Sequence, residues 1–202
     1  LIKNLDLDAL PKAPPKVAQL LRQGLQGFDS LASIKALHLQ DDLQTYGKQE
    51  EDIFIPHKPD VVWKAYTATH PAESWKGPMV NFLFAFDEAE GEIYYGADPD
   101  FPSFKVGMQF YCWLNILGPR LIIGLKLMRL DEEKRLMEIA YIEGGLYRGT
   151  QVLSFHPDKG GTRIHHKSYF RSRSPLRDAT LYLFFHKKTV GEFHKNKLKL
   201  LS

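Results

Sequence analysis

Residues 156–201 read HPDKGGTRIHHKSYFRSRSPLRDATLYLFFHKKTVGEFHKNKLKLL, and their reading decides the fold. PDKGG is a turn signal. TRIHHKSYFRS (162–172) then alternates. Ile164 and Phe170 set one face of a strand, and Thr162, His166 and Ser168 come with it. Arg163, His165, Lys167, Tyr169 and Arg171 take the other face. RSPLRDAT opens a long helix, with Asp178 near its start, where negative charge is favoured. At about 100° per residue, Tyr182, Phe185, His186, Thr189, Val190 and Phe193 share one broad helix face. A face made only to lie on a sheet would be aliphatic. This one carries a phenol, an imidazole and a hydroxyl, which need partners when buried, from protein, water or a guest molecule.

Upstream, strand-like runs are separated by short turn signals: MVNFLFAFD, GEIYYG, FKVGMQFYCWLNI, RLIIGLKLMRLD, RLMEIAYIE and LYRGTQVLSFH. Such short links join antiparallel neighbours, because parallel pairs need longer crossovers. EDIFIP is a further short strand, and KPDVVWKAYTATHPAESW reads as a helix begun at Pro59 and ended at Pro71, with a short second helix after it. Phe82, Phe84 and Phe86 fall on one face of their strand, as do Met108, Phe110, Cys112 and Leu114. Residues 1–48 differ from the rest. LPKAPPKVAQLLRQGLQGF and DSLASIKALHLQDDLQTYG each read as a helix, the second with Asp29 or Ser30 as N-cap and Gly47 as its stop. The prediction is an α+β fold. A curved antiparallel sheet of about six to eight strands, bent because large sheets twist, grips a long C-terminal helix. Residues 1–48 form an N-terminal helical arm covering the main domain (49–202) or a second copy of the chain.

The chain of 202 residues suits one domain of ordinary size, and 44% apolar residues allow a real core. A net charge of +3 does not by itself imply nucleic acid, and no recognition motif for it is present. A single cysteine, Cys112, forbids a disulfide within the chain and fits a reducing, cytoplasmic compartment. No apolar run reaches the roughly 20 residues that cross a bilayer. No basic-then-apolar leader is visible, so no signal peptide is expected. The eight histidines lack ligand spacing, so no metal is expected, and the absence of a phosphate-cradling glycine loop argues for no cofactor.

The ordered set of elements resembles the helix-grip superfamily (SRPBCC). This group includes the START lipid-transfer domains, the birch-pollen-allergen-like proteins and the polyketide cyclase/dehydratase-like proteins. The resemblance runs from about residue 51 to 201. It rests on IFIPHKPDVVWKAYTATHPAESW, KVGMQF, VLSFHPDKGGTRIHHKSYF and the closing helix. It implies a cavity between sheet and helix that takes lipids, sterols, polyketides, plant hormones or other apolar molecules, in which some members catalyse cyclisation or dehydration. The superfamily has no shared catalytic motif, so the catalytic residues are unknown. The arm and the stretch GEIYYGADPDFPSF (91–104) depart from its simplest members.

The resulting expectation is a protein that binds, and in one version transports, a lipid-like or polyketide-like molecule. Tyr182, Phe185, His186, Thr189, His166, Ser168, Tyr94, Phe110 and Glu138 would surround it, with residues 94–104 near the mouth. The alternative is a cyclase or dehydratase using the same cavity. Ser168 and His166, with His186 opposite them and Glu138 as a candidate orienting acid, make up the candidate nucleophile arrangement. On the outer sheet face, Arg163, Lys167, Arg171 and Arg173 form a cationic stripe suited to an acidic protein or an anionic membrane surface. A third reading, an interaction module, requires an interior filled by side chains.

Overall fold

The computed structural model describes residues 2, 4–10, 13–37, 45–116, 120–172, 174, 176, 178 and 183–201. Its longest hairpin is the one the sequence announces. β7 (Tyr147–Asp158) and β8 (Gly161–Ser172) pair from Asp158↔Gly161 to Tyr147↔Ser172. The turn places Lys159 at φ 43° and Gly160 at φ 82°. Two successive positive φ values match the right-handed twist of the strands they join, and glycine takes such a value without strain.

Around this hairpin the described strands form one antiparallel sheet. The remaining strands are β1 (Gly47–Ile55), β2 (Val80–Asp87), β3 (Glu92–Tyr95), β4 (Gln109–Asn115), β5 (Arg120–Asp131) and β6 (Leu136–Tyr141). Their order is β1-β8-β7-β6-β5-β4-β2-β3. Pairing slips between Phe82 and Phe84 and again between Leu127 and Arg129. Such bulges bend and twist a sheet locally. The first bulge corrects the expected shared face of the three phenylalanines. Phe82 stays on the concave side opposite Cys112, whereas Phe84 turns to the convex side and stacks on Tyr111 at 4.4 Å between centroids. Phe86 follows Phe84.

The concave side is covered by three helices: α2 (Pro59–Ala68), α3 (Pro71–Ser74) and α4 (Leu183–Lys199). Proline opens both α2 and α3, where its missing N–H is no loss. Polar side chains of α4 bind it to the rest of the fold, Glu192 and Asn196 among them. The Glu192 carboxylate accepts from the Met79 and Val80 N–H groups at 3.3 and 3.2 Å. The Asn196 amide donates to the Ser74 and Lys76 carbonyls at 3.1 and 2.9 Å.

The arm lies on the convex side. α1 (Pro15–Gly24) buries Val17 and Leu21, which join Phe84, Phe86, Tyr111 and Ile142 in a second core. β2 is therefore buried on both faces, as its unbroken apolar run requires. The second arm helix is not formed in the described part. Ser30 does cap, its Oγ accepting from Ser33 N–H at 3.2 Å, but it caps only a 3₁₀ turn, Leu31–Ser33. The chain then extends. Leu37 N–H donates to the Tyr141 carbonyl at 2.6 Å, and Gly149 N–H donates to the Leu37 carbonyl at 2.9 Å. Sheet partners replace the helical i→i+4 bonds there. Residues 38–44 lie outside the described residues. No described helix is long and apolar enough to cross a membrane.

Candidate functional site

The concave side is half solid and half hollow. Beneath α2 and α3, the rings of Trp63, Tyr66, Phe155, Phe193, Trp75, Phe110 and Phe104 interlock, with neighbouring centroids 5.0–5.8 Å apart. Beyond Trp75 and Phe193 a cavity of about 230 Å³ remains. Its sheet wall is Leu114 and Ile116 from β4 and beyond, Leu121, Ile123 and Leu125 from β5, Ile139 and Tyr141 from β6, and Tyr147, Gln151 and Leu153 from β7. β8 contributes His166, and α4 contributes Phe185, His186, Thr189, Val190 and Phe193. Leu146, an exposed wall residue, marks where it opens to solvent. An interior filled by side chains, which the interaction-module reading requires, is therefore not what the structure shows.

Four of the expected site residues meet at this cavity: His166, Phe185, His186 and Thr189. Thr189 turns its hydroxyl to the His186 carbonyl, to which it donates at 2.9 Å. The others are placed elsewhere. Ser168 is buried on the concave face, on the rung between Gln49 and Gln151, but does not line the cavity. Phe110 is fully buried between Trp75 and Phe104 in the solid half. Tyr94 packs edge-on against Phe101, 5.6 Å away, so the 94–104 stretch closes the solid end of the fold instead of framing a mouth. Glu138 pairs across the sheet with Val152, and Val152 with Lys167. That rung faces outward, because side chains one residue apart point to opposite faces. Tyr182 lies outside the described residues.

The polar side of the cavity is a chain of hydrogen bonds. The Gln151 amide N–H donates to the Tyr141 hydroxyl at 3.3 Å, and the Gln151 carbonyl oxygen accepts from His166 Nε2–H at 3.1 Å. A neutral imidazole has one donor and one acceptor. His166 Nδ1 is therefore the acceptor for His194 Nε2–H, at 2.9 Å. His194 Nδ1 in turn accepts from the Tyr66 hydroxyl at 2.7 Å. Burial pushes the His166 pKa down to about 4 and that of His194 well below the usual histidine range. Both rings are neutral at physiological pH. His186 is held separately: its Nδ1–H donates to the Gln49 amide oxygen at 3.0 Å, and the Gln49 amide N–H donates to the Glu51 carboxylate at 3.1 Å. Burial, with a contribution from His166, lowers the His186 pKa to about 3.

These bonds rule out the serine arrangement in this structure. Both nitrogens of His166 are engaged, by Gln151 and His194, and the acid Glu138 is on the opposite face. Among the described residues no group of three or more His, Cys, Asp or Glu could hold a metal ion. Cys112 is fully buried, and burial pushes its thiol pKa up. Gln151, His194, Tyr66 and Gln49 were not read as site residues from the sequence. The available signal was a glutamine on the apolar face of LYRGTQVLSFH, and a second histidine, His194, about 80° around the helix from His186.

The outer face of β8 also differs from expectation. Arg163 pairs with Asp158 at 2.6 Å, Lys167 with Glu50 at 3.4 Å and His165 with Asp52. Arg171 donates to the Thr45 hydroxyl at 3.0 Å. β1 lays carboxylates beside the stripe, so this face is a lattice of opposite charges. Arg173 lies outside the described residues.

No family model and no curated protein matches the chain. Solved structures do. Norcoclaurine synthase from Thalictrum flavum, in complex with dopamine and hydroxybenzaldehyde, aligns over 83% of this chain and 96% of its own, at 15% identity and a TM-score of 0.55. Ara h 8.0201 aligns over 77% of this chain and 98% of its own, at 18% identity and a TM-score of 0.53. Major latex-like protein 151 from Panax ginseng aligns over 76% and 99%, at 15% identity and a TM-score of 0.52. The curved sheet clasping its last helix is thus the helix-grip fold. At these identities the likeness speaks for architecture.

Proposed function

We propose that the protein binds a small apolar molecule, lipid-like or polyketide-like, in the cavity beneath α4. The observation that carries this reading is the cavity itself. It measures about 230 Å³, with a wall of Leu, Ile, Val, Phe and Trp side chains broken by a few polar groups. Ligand sites are commonly built this way. An apolar cavity of about 150 Å³ is already enough for benzene, so this one takes a guest of roughly two rings or a comparable chain. Burying roughly 250 Å² of apolar ligand surface would supply about 6 kcal/mol before ordering costs. Norcoclaurine synthase holding two small aromatic molecules on the same fold supports the reading by analogy. A reducing, cytoplasmic setting suits the lone buried thiol.

Native mass spectrometry of protein from its source cells tests this. The expected result is a one-to-one complex with an apolar molecule, absent in Val190→Phe, which fills the cavity while the melting temperature holds. A wild-type protein that retains nothing, and whose melting temperature no apolar compound raises, would end the reading.

The second reading, a cyclase or dehydratase in the same cavity, is favoured by one observation: a cavity-wall imidazole, His186, oriented through its Nδ1 by Gln49. An imidazole held in this way is a candidate for proton transfer to a guest. It predicts product formation from a poly-ketone substrate, lost in His186→Gln with ligand binding retained. Recovery of unchanged ligand decides against it.

A further inference from the structure

Gln151 stands in the middle of the apolar wall, between Ile139 on one neighbouring strand and Ser168 on the other. A primary amide has two N–H donors and an oxygen with two lone pairs. One donor goes to Tyr141, and one lone pair accepts from His166. The second N–H and the second lone pair meet no protein partner among the described residues, and the side chain lines the cavity. A polar group left so beside an apolar hollow costs stability unless something in the hollow answers it.

The amide is coupled to the chain behind it. With its oxygen on His166 Nε2–H, His194 donates to His166 and the Tyr66 hydroxyl donates to His194; turning the amide over reverses all three bonds together. In either sense Gln151 keeps one N–H and one lone pair for the cavity. No Asp, Glu, Lys or Arg is among the described residues lining the cavity, and the two histidines in its wall are neutral. A carboxylate guest would lose its hydration there and find no cation.

We infer that Gln151 determines the specificity of the cavity, and that it selects an uncharged apolar guest with a hydrogen-bond acceptor and donor side by side, as in a carboxamide, a lactam or a hydroxy-ketone. The inference rests on the cavity being the ligand site. His166, His194 and Tyr66 act behind it as positioning residues.

The test is calorimetric titration at about pH 8 with three probes of similar size: 2-naphthamide, 2-methylnaphthalene and 2-naphthoate, the last fully ionised at that pH. Wild-type protein is expected to bind the amide at least about tenfold tighter than either of the others. Gln151→Leu should abolish that preference while 2-methylnaphthalene affinity stays within about threefold. Gln151→Met serves if the leucine variant does not fold, with a thermal melt as the check. Equal binding of all three probes, tightest binding of the naphthoate, or an amide preference that survives in the variant overturns the inference and leaves the cavity reading standing. Failure of all three to bind the wild type overturns both.

Discussion

His194 Nε2 lies 2.9 Å from His166 Nδ1, with the two rings edge to face at 5.1 Å between centroids. One ring rides on the closing helix and the other on the last strand, so this single bond joins the two elements that enclose the cavity. With the Gln151 oxygen facing His166, both rings take the Nε2–H tautomer. Histidine ¹⁵N spectra are expected to show that tautomer at both positions. Tyr66→Phe removes the hydroxyl that donates to His194 and should lower stability by about 1–3 kcal/mol, the range for leaving a buried acceptor unmet. Unchanged stability together with unchanged histidine shifts would contradict the chain.

The same groups set the acid response. In the unfolded chain the histidines take up protons below about pH 6.5. In the folded protein His166 resists to about 4 and His186 to about 3. The unfolded state therefore binds more protons across this window, and stability falls as pH drops through it. The slope is about 1.4 kcal/mol per pH unit for each histidine. Lys197 extends the trend upward. Burial brings its pKa down to about 7 from 10.5, so stability keeps rising above neutrality. Urea midpoints at about pH 5, 7 and 9 should climb in that order. A midpoint as high at pH 5 as at 7 contradicts the assignment of neutral buried histidines.

Lys197 is fully buried, and its ammonium donates to the Ala65 and Tyr66 carbonyls at 3.0 and 3.3 Å. Both carbonyls belong to the last turn of α2, where helix oxygens lack the usual i+4 backbone donors; that of Ala65 also accepts from the Thr69 hydroxyl at 2.6 Å. The rings of Tyr66, Phe104 and Phe193 stand 5.4–5.7 Å from the ammonium. Lys197→Met keeps the bulk and leaves the Tyr66 carbonyl without this donor, while the Ala65 carbonyl keeps the Thr69 hydroxyl. Chemical denaturation is expected to show a loss of about 1–3 kcal/mol. A variant as stable as wild type would mean water satisfies that helix end.

The arm is tied down by a buried amide. Gln109 donates to the Leu31 carbonyl at 2.9 Å and accepts from the Tyr111 hydroxyl at 2.7 Å. Gln109→Leu leaves both partners unmet on the convex face. The expected loss is about 2–4 kcal/mol, together with faster proteolysis within residues 29–37. Gly144→Val should act alike, since Gly144 has φ 83° and a Cβ there would run into the Gly24 carbonyl. Proteolysis at the wild-type rate in both variants would show that the arm docks by other contacts.

Much of the architecture was readable because it is written in local pattern. The alternation in TRIHHKSYFRS sorted His166 from His165, and the DKGG turn set the hairpin. The helix face carrying Phe185, His186 and Val190 did point inward. Patterns of period two and 3.6 report which side of an element is buried, and that is a property of neighbouring residues.

Other features were beyond local pattern. A bulge beside Leu83 sent Phe84 and Phe86 to the opposite face from Phe82. Glu138 fell outward with its rung, and the aromatic 94–104 stretch sealed one end. Tyr66 and His194, 128 residues apart, became the end of a chain reaching the cavity wall. What the sequence by itself determined is the set of elements and the face each one buries. Which half of the space between sheet and helix is filled, and which buried polar groups complete one another, only the tertiary structure decided. Volume and hydrogen-bond complementarity depend on side chains brought together from distant parts of the chain.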